Sequence, residues 1–259
     1  MVIAASIIAS GFIILSLLSA SPGKNTTQSA DSRIALPSPK MTGTVSVAEA
    51  VANRRSVREY ATTPLDISEI SQLVWSAQGL TNLSGLRAAP SAGALYPLEI
   101  YVACGNVTGL SDGVYHYLPK SHALDRVIGR DVREDLYRSA LRQPSVRDAA
   151  AVIIIAADYN RTTRKYGERG IRYVHMEAGH ASGNIYLQAY ALGIGTVAIG
   201  AFDDSGVQSV LGLSQDQTPL YLMPVGKMRT WECPVHNDTL PVISPDITVA
   251  AEPYPAITD

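Results

Sequence analysis

Charged residues are scarce in this chain. Asp, Glu, Lys and Arg make up 17% of the 259 residues, and the formal net charge is -2. The chain also lacks a basic or acidic tail, so nothing in it favours a nucleic acid or an anionic surface as partner. This balance points to small ligands, and the length is enough for one domain with a large core.

Cysteine is nearly absent, which excludes a disulfide-rich scaffold. Only Cys104 and Cys233 occur. They could form one bridge in an oxidising compartment or remain reduced thiols, and the sequence leaves both states open.

Three catalytic signatures are missing as well. No G-x-S-x-G motif occurs, so the sequence lacks the turn that carries the nucleophile of an α/β-hydrolase. The glycines of residues 193–200 follow a predicted helix and lead into a strand, the reverse of a dinucleotide-binding turn. His175 and His180 sit about 140° apart around a helix axis, so with Glu177 they do not converge on a metal ion. We predict no metal site.

One long apolar run stands at residues 2–20, which carry no charge. Its length suits a signal peptide or a membrane anchor. Five Asn-x-Ser/Thr triplets favour glycosylation outside the cytoplasm; they begin at Asn25, Asn82, Asn106, Asn160 and Asn237. We therefore expect an exported or membrane-anchored protein attached through residues 2–20, with a cytoplasmic location as the alternative.

The remaining chain divides by composition. Residues 21–44 are rich in Ser, Pro, Thr and Gly, which predicts a flexible linker. Periodic segments begin at Val45 and end near position 230, so we expect the folded domain at 45–230 and a C-terminal extension at 231–259.

Helix and strand patterns alternate within 45–230. Apolar spacing predicts a short helix from Val45, a helix that starts near Asp66 and stops at Gly79, and a long helix over 172–193. Strand-like runs stand at 98–104, 149–157, 195–202 and 221–227, and a hairpin turns at 120–122. The apolar, β-branched run 149–157 is typical of a central buried strand.

Three clusters far apart in sequence carry the candidate chemistry. NRRSVREY (53–60) and PVGKMR (224–229) bring positive charge, and APSAGALYP (89–97) brings a turn with exposed backbone amides. Arg and Lys suit a phosphate, and backbone groups with Ser suit a polar ring edge. Together these clusters favour a phosphorylated, planar cofactor.

Four blocks carry a resemblance to a known family: RRSVREY, APSAGALYPLEIYV, KYGERGIRYVHMEAGHASGNIYLQAYALGIG and LYLMPVGK. In this order they resemble the FMN-dependent nitroreductase superfamily, and in particular its SagB-type branch of azoline dehydrogenases and thiazole oxidase-like enzymes. The resemblance covers about residues 45–230. It implies an α+β fold with a central, mostly antiparallel mixed sheet flanked by helices, and a homodimer that holds FMN at the subunit interface.

The resemblance also implies roles for individual residues. Those expected at the FMN phosphate and ribityl chain are Arg54, Arg55, Ser56 and Arg58. Those expected near the flavin ring and its polar edge are Pro90, Ser91, Ala92, Gly93, Ile199 and Gly200. Lys227 or Arg229 would complete the phosphate site, and the sequence does not decide between them.

Lys165 and Tyr166 match the Lys-Tyr pair of the azoline dehydrogenases, where such residues are thought to remove a proton while hydride passes to the flavin. A solvated surface loop is the alternative for this stretch. The expected function is a dehydrogenase or oxidase that acts on a small or peptide-borne heterocycle. The alternatives are an NAD(P)H-dependent nitro or quinone reductase and a flavin-binding protein without turnover.

Overall fold

A seven-stranded sheet organises residues 33–230, the part of the chain that this computed structural model describes. The strands are β1 (Arg33–Ala35), β2 (Leu65–Asp66), β3 (Leu98–Cys104), β4 (Val107–Thr108), β5 (Gly113–Leu118), β6 (Ala123–Ile128), β7 (Ala151–Asp158), β8 (Ile194–Thr196) and β9 (Gln217–Lys227). The helices are α1 (Val47–Asn53), α2 (Ile67–Gln78), α3 (Arg133–Ser139), α4 (Pro144–Asp148), α5 (Asn160–Tyr166), α6 (Arg169–Ala191) and α7 (Asp204–Leu211).

Every neighbouring pair in the main sheet is antiparallel, in the order β1-β6-β5-β3-β7-β9-β8. Strands β2 and β4 form a separate parallel pair. Helices cover both faces of the sheet. The predicted α+β fold with a mostly antiparallel sheet is therefore confirmed.

Strand β7 runs through the centre of the sheet, between β3 and β9. Its side chains alternate between two cores, because successive residues of a strand point to opposite faces. Ile153 and Ile155 pack into the core that contains α2 and α6, whereas Val152 and Ile154 pack into the core that contains α3 and α7. Burial on both sides confirms the prediction of a central strand for this apolar run.

Helix α2 begins and ends at the predicted residues. The Asp66 side chain accepts a hydrogen bond from the Ser68 backbone, and the Glu69 carboxylate accepts one from the Asp66 N–H, which forms a capping box. The helix stops at Gly79, whose N–H donates to the carbonyl of Trp75 over 2.7 Å.

Helix α6 spans 23 residues and lies against the sheet. Its first turn crosses α5 closely, because a Cβ atom on Gly170 would lie only 3.0 Å from the Thr163 backbone. Its buried positions form one stripe: Gly170, Val174, Glu177, Ala178, Ala181, Ser182, Ile185 and Ala189. The stripe contains one ionisable side chain, that of Glu177.

The predicted flexible linker is wrong for its second part. Strand β1 pairs with the edge of β6, and Leu36 is buried. The hydroxyl of Ser71 donates to the carbonyl of Pro37 over 2.6 Å, and the amide of Gln72 bonds the backbone of Lys40 through both its oxygen and its nitrogen. These contacts dock the chain from residue 33 to 40 onto α2 and β6. Residues 21–32 lie outside the described part.

The predicted strand at 195–202 is shorter than expected. Only Ile194–Thr196 forms β8, and one isolated bridge joins Ile199 to Leu222. The chain between them leaves the sheet because the Ala198 N–H donates to the Tyr186 hydroxyl instead of to a neighbouring strand.

The membrane prediction requires correction. Among residues 33–230, no helix combines the length and the apolar character that crossing a bilayer requires. This finding overturns the prediction of an exported or membrane-anchored protein. The apolar run at 2–20, which motivated that prediction, lies outside the described residues.

The proposed Cys104–Cys233 bridge stays untested because residues 231–259 also lie outside the described part. Cys104 itself is buried at the end of β3 and has no disulfide partner among residues 33–230. Burial raises its pKa to about 12, so this thiol stays protonated at neutral pH.

Candidate functional site

The loop at 89–97 exposes its backbone at a tight turn. Gly93 is exposed and has a φ of 64°, in the left-handed region that glycine favours. Ala94 and Tyr96 share a positive φ, and the Tyr96 N–H donates to the Ser91 hydroxyl over 2.9 Å. The turn is therefore fixed by a side chain of the loop itself.

The side chains of Lys165 and Tyr166 lie directly over this turn. A Cβ atom on Gly93 would come within 2.7 Å of the Tyr166 hydroxyl and 2.9 Å of the Lys165 ammonium. A side chain at position 93 would therefore displace the ends of both groups. The structure thus brings the predicted proton-transfer pair to the loop that we expected at the flavin ring.

Arg161 fixes the position of α5, which carries this pair. Its guanidinium donates to the Tyr96 carbonyl over 3.1 Å and forms an ion pair with Glu99 of β3. Glu99 also pairs with His116 over 2.7 Å. Burial alone would raise the pKa of Glu99, but His116 and Arg161 outweigh it and hold the pKa below its ordinary value. One arginine therefore ties helix, loop and sheet together.

Glu177 lies beside the same loop on the buried stripe of α6. Its side chain is 2% exposed, and its Oε1 atom has no hydrogen-bond partner among the described residues. Burial raises the pKa of Glu177 to about 7, although Ser91, Arg87 and Gln78 oppose the shift. The site therefore holds a carboxyl group that gains or loses its proton near neutral pH.

Sequence reasoning considered Glu177 only as a metal ligand and missed this role. A signal was available, because Glu177 falls on the helix face that also carries Val174, Ala178 and Ala181. A lone carboxylate on an apolar helix face indicates a buried, perturbed group.

The arginine segment docks at the other end of α6. The Tyr186 hydroxyl accepts a hydrogen bond from the Ala198 N–H over 2.8 Å and lies 3.0 Å from the Ser56 hydroxyl. The Arg54 guanidinium stacks over the Tyr186 ring at 5.3 Å, and the Val57 N–H donates to the Thr196 carbonyl. Tyr186 thus anchors the first predicted block.

A cavity of about 340 Å³ opens at this segment, lined among others by Arg54, Arg55, Tyr186, Tyr190 and Thr196. No carboxylate of residues 33–230 pairs with either arginine, and the buried Oγ1 atom of Thr196 lacks a partner within the same residues. Unpaired guanidinium groups beside an unsatisfied hydroxyl suit an oxyanion. Arg58 also has no carboxylate partner among residues 33–230, and its side chain is exposed.

The two C-terminal cations face carboxylates instead of this cavity. Lys227 pairs with Glu69 of α2, and Arg229 pairs with Glu59 over 2.9 Å. Their backbone nevertheless runs beside the arginine segment, because the Ala61 N–H donates to the Lys227 carbonyl over 2.8 Å. Lys227 also borders a larger cavity of about 950 Å³ between α1, α2 and α6.

Ile199 and Gly200 stand apart from the other predicted residues. Ile199 is buried in the core that contains α7, and Gly200 lies near the Tyr221 ring. Neither residue is among those that line the arginine cavity.

The Gly93 loop and the arginine cavity lie on opposite edges of the α6 stripe. Glu177 and Tyr186 are nine positions apart, which corresponds to about 180° around a helix and about 13.5 Å along it. A single chain thus presents two separate groups of site residues, one on each side of α6.

The comparisons with known proteins agree with this architecture. The sequence pattern of the nitroreductase family matches residues 51–227. A Methanocaldococcus jannaschii protein named as a nitroreductase is 46% identical over 183 residues, which cover 71% of this chain and 91% of that protein. The microcin B17-processing protein McbC of Escherichia coli is 30% identical over 177 residues, which cover 65% of each chain.

The fold of this chain also resembles that of a solved structure. The E. coli microcin synthetase McbBCD complex with truncated pro-MccB17 bound matches with a TM-score of 0.59 and 26% identity, over 76% of this chain and 79% of that chain. Fold and family pattern define an α+β oxidoreductase. The chain belongs to the nitroreductase family. Its similarity to McbC and to the microcin synthetase places it in the SagB-type branch.

The substitution Glu177→Gln keeps the shape of the side chain but replaces the titratable carboxyl group with an amide. Since the folded protein binds this proton more tightly than the unfolded chain, rising pH weakens the wild-type fold between about pH 4.5 and 7. We expect the wild type to lose up to about 3 kcal/mol of unfolding free energy relative to the variant over that range. Urea unfolding at several pH values measures this difference. The exposed Glu168→Gln is the control, and a difference that is constant with pH would contradict the assignment.

Proposed function

We propose that the protein is an FMN-dependent oxidoreductase of the SagB type, which oxidises a small or peptide-borne heterocycle. Proteins of this family generally bind a flavin, and the relative McbC is a peptide-processing protein by name. The proposed FMN domain extends over residues 45–230, with the docked segment from residue 33 as its N-terminal addition.

The position of Lys165 and Tyr166 carries this proposal. Both polar groups lie within contact distance of the Gly93 turn, where the loop exposes backbone to the site. A group that removes a proton must lie within hydrogen-bond reach of the reacting atom, and these two share one small volume. Arg161 and Glu177 hold this volume from two sides, through Tyr96 and Ser91.

The residues of the arginine cavity fit the FMN phosphate. Arg54 and Arg55 would hold it by charge-assisted hydrogen bonds, with Ser56 and Thr196 as hydroxyl partners. We place Arg58 at the outer rim of the same site. Pro90, Ser91, Ala92 and Gly93 would approach the ring, and Ile199 and Gly200 would lie at its polar edge. When bound, FMN supplies the two-electron acceptor for hydride.

Arg229 is the better candidate for the second phosphate contact. Its side chain is 65% exposed and its partner Glu59 is 75% exposed, so that ion pair contributes little and exchanges readily. Lys227 and Glu69 are only 30% and 16% exposed, and their pair joins β9 to α2. Breaking it would leave a half-buried carboxylate without its partner.

The separation of the two groups of residues supports a homodimer. In one chain, α6 stands between the arginine cavity and the Gly93 loop. A two-fold arrangement would allow the arginine cavity of one copy to face the Gly93 loop of the other, as symmetric dimers commonly do when a site lies at their interface. FMN would then be enclosed by both subunits.

The chemistry of these residues suits the oxidation of an azoline ring. Loss of one proton and one hydride from adjacent ring atoms creates a double bond and an aromatic azole. One member of the Lys165–Tyr166 pair, in its deprotonated form, would receive this proton and hold it beside the loop, while the surrounding side chains orient the ring and exclude water.

Anaerobic mixing with two reductants tests the function. We expect a thiazoline-containing peptide to bleach the flavin absorbance of the purified protein, because the peptide donates the two electrons. Thiazole formation in the same sample, measured by a mass loss of two hydrogens, gives a second readout. Bleaching by NADPH alone would favour a nitro or quinone reductase. Tight FMN binding with no response to either would favour a binding protein without turnover.

The double substitution Arg54→Ala and Arg58→Ala should empty the flavin site while the fold persists. Loss of charge-assisted hydrogen bonds to phosphate should weaken FMN binding by at least about tenfold. Quenching of FMN fluorescence by the flavin-free protein measures the affinity. Arg138→Ala, which removes an exposed ion pair on α3, is the matched control. Unchanged FMN affinity in the double variant would refute the phosphate assignment.

Lys165→Met and Tyr166→Phe should separate proton transfer from flavin binding. Because neither residue is assigned to the phosphate, both variants should retain FMN. Peptide oxidation should fall about 10²- to 10⁴-fold, the usual contribution of a positioned acid or base. Rapid-mixing absorbance measures the rate, and Lys120→Met on the β5–β6 turn is the control. Full activity in both variants would mean that this pair is only a surface feature.

A further inference from the structure

Four cations on α5 and the first turns of α6 have no carboxylate partner among residues 33–230: Arg164, Lys165, Arg169 and Arg172. We call these four residues the cationic surface. All of them are exposed. Elsewhere on the protein, exposed arginines such as Arg33, Arg130 and Arg147 pair with neighbouring acids. The cationic surface therefore carries excess positive charge that the fold itself does not use.

Two tyrosines hold part of this charge in place. The rings of Tyr166 and Tyr173 meet edge to face with centroids 5.2 Å apart. The Lys165 ammonium lies 5.3 Å from the centre of the Tyr166 ring, and the Arg169 guanidinium lies 5.9 Å from that of Tyr173. Cation–π contacts of this length restrain long side chains without neutralising them. The charge of Lys165 is thus held next to the Gly93 turn, and that of Arg169 is held over Tyr173.

The surface continues along one face of α6. Arg169, Arg172, Tyr173 and Met176 fall within about 100° of each other around the helix axis. Met176 is 51% exposed, so an apolar side chain stands beside the charges. Positive, aromatic and apolar groups therefore alternate along a line that leads away from Lys165.

The spread of these charges excludes a single small anion as the best ligand. A phosphate is bound by cations that converge in a concave site, as Arg54 and Arg55 do in their cavity. The four residues of the cationic surface are instead exposed and spread over α5 and the start of α6. Successive carboxylates on an extended chain match such a line, because each meets a different cation.

We propose that the cationic surface binds an acidic segment of the peptide substrate and thereby delivers the heterocycle to Lys165 and Tyr166. The substrate class is a peptide that carries Asp or Glu residues beside the ring to be oxidised. This inference rests on the proposed function for its substrate, but its binding step can be measured without turnover.

The first experiment measures binding alone. Fluorescein-labelled glycine/serine peptides with several Asp, Asn or Lys residues at the same positions are titrated with the FMN-loaded protein, and anisotropy is recorded. We expect the Asp peptide to bind at least about tenfold more tightly than the Asn peptide at low salt, and this preference should shrink as ionic strength rises. Equal binding of the two peptides would overturn the proposal.

Charge reversal provides the sharper test. The double variant Arg169→Glu and Arg172→Glu should bind the Asp peptide more weakly and the Lys peptide more tightly than the wild type does, because its surface attracts the opposite charge. Lys120→Glu, a reversal at the β5–β6 turn, should change neither. Circular dichroism and flavin content check that the variants fold. A double variant that keeps the wild-type preference would contradict the role of this surface.

Three further outcomes separate this proposal from the other proposals. If the Asp peptide binds but no thiazoline peptide is oxidised, the surface stands and the proposed function fails. If neutral and acidic thiazoline peptides are oxidised with equal KM, the proposed function stands and the surface has no role. If the charge reversal weakens NADPH binding and leaves the Asp peptide unaffected, the surface belongs to a dinucleotide and the peptide proposal is overturned.

Discussion

The packing of α6 against the sheet determines the separation between the Gly93 loop and the arginine cavity. Its buried stripe is bordered on one edge by Glu177, which lies beside Ser91, and on the other by Tyr186, which holds Ser56 and the Ala198 N–H. A straight helix fixes both the angle and the distance between these anchors. The same helix that organises the core therefore separates the arginine cavity from the Gly93 loop.

The distribution of ion pairs distinguishes structural charges from charges that are free to bind. Arg161 and Lys227 pair with carboxylates and connect one element to another. Arg54 and Arg55 have no such partner within residues 33–230 and line a cavity, and Arg169, also without one, lies over the Tyr173 ring. A guanidinium without a carboxylate partner contributes little to stability, so these groups are free to bind an anionic ligand.

Much of the fold follows from local patterns, and the site follows only in part. The capping box at Asp66, the stop at Gly79 and the apolar run of β7 are local signals, so their elements were predicted correctly. The docking of residues 33–40 was missed because it depends on distant partners, Ser71 and Gln72, that composition does not reveal. A segment rich in Ser and Pro can be a strand edge when a neighbouring strand supplies the hydrogen bonds.

The same limit applies to the functional residues. Lys165, Tyr166 and Gly93 were named from separate blocks, but their contact arises from the crossing of α5 over the loop, which Arg161 and Gly170 impose. The role of Glu177 was missed because helical periodicity predicts which face of α6 carries it but not which residues of other elements surround it. A carboxyl group that titrates near neutral pH beside Ser91 can couple the shape of the loop to its proton. The raised pKa of Glu177 thus comes from its burial, which the sequence pattern indicates only in part.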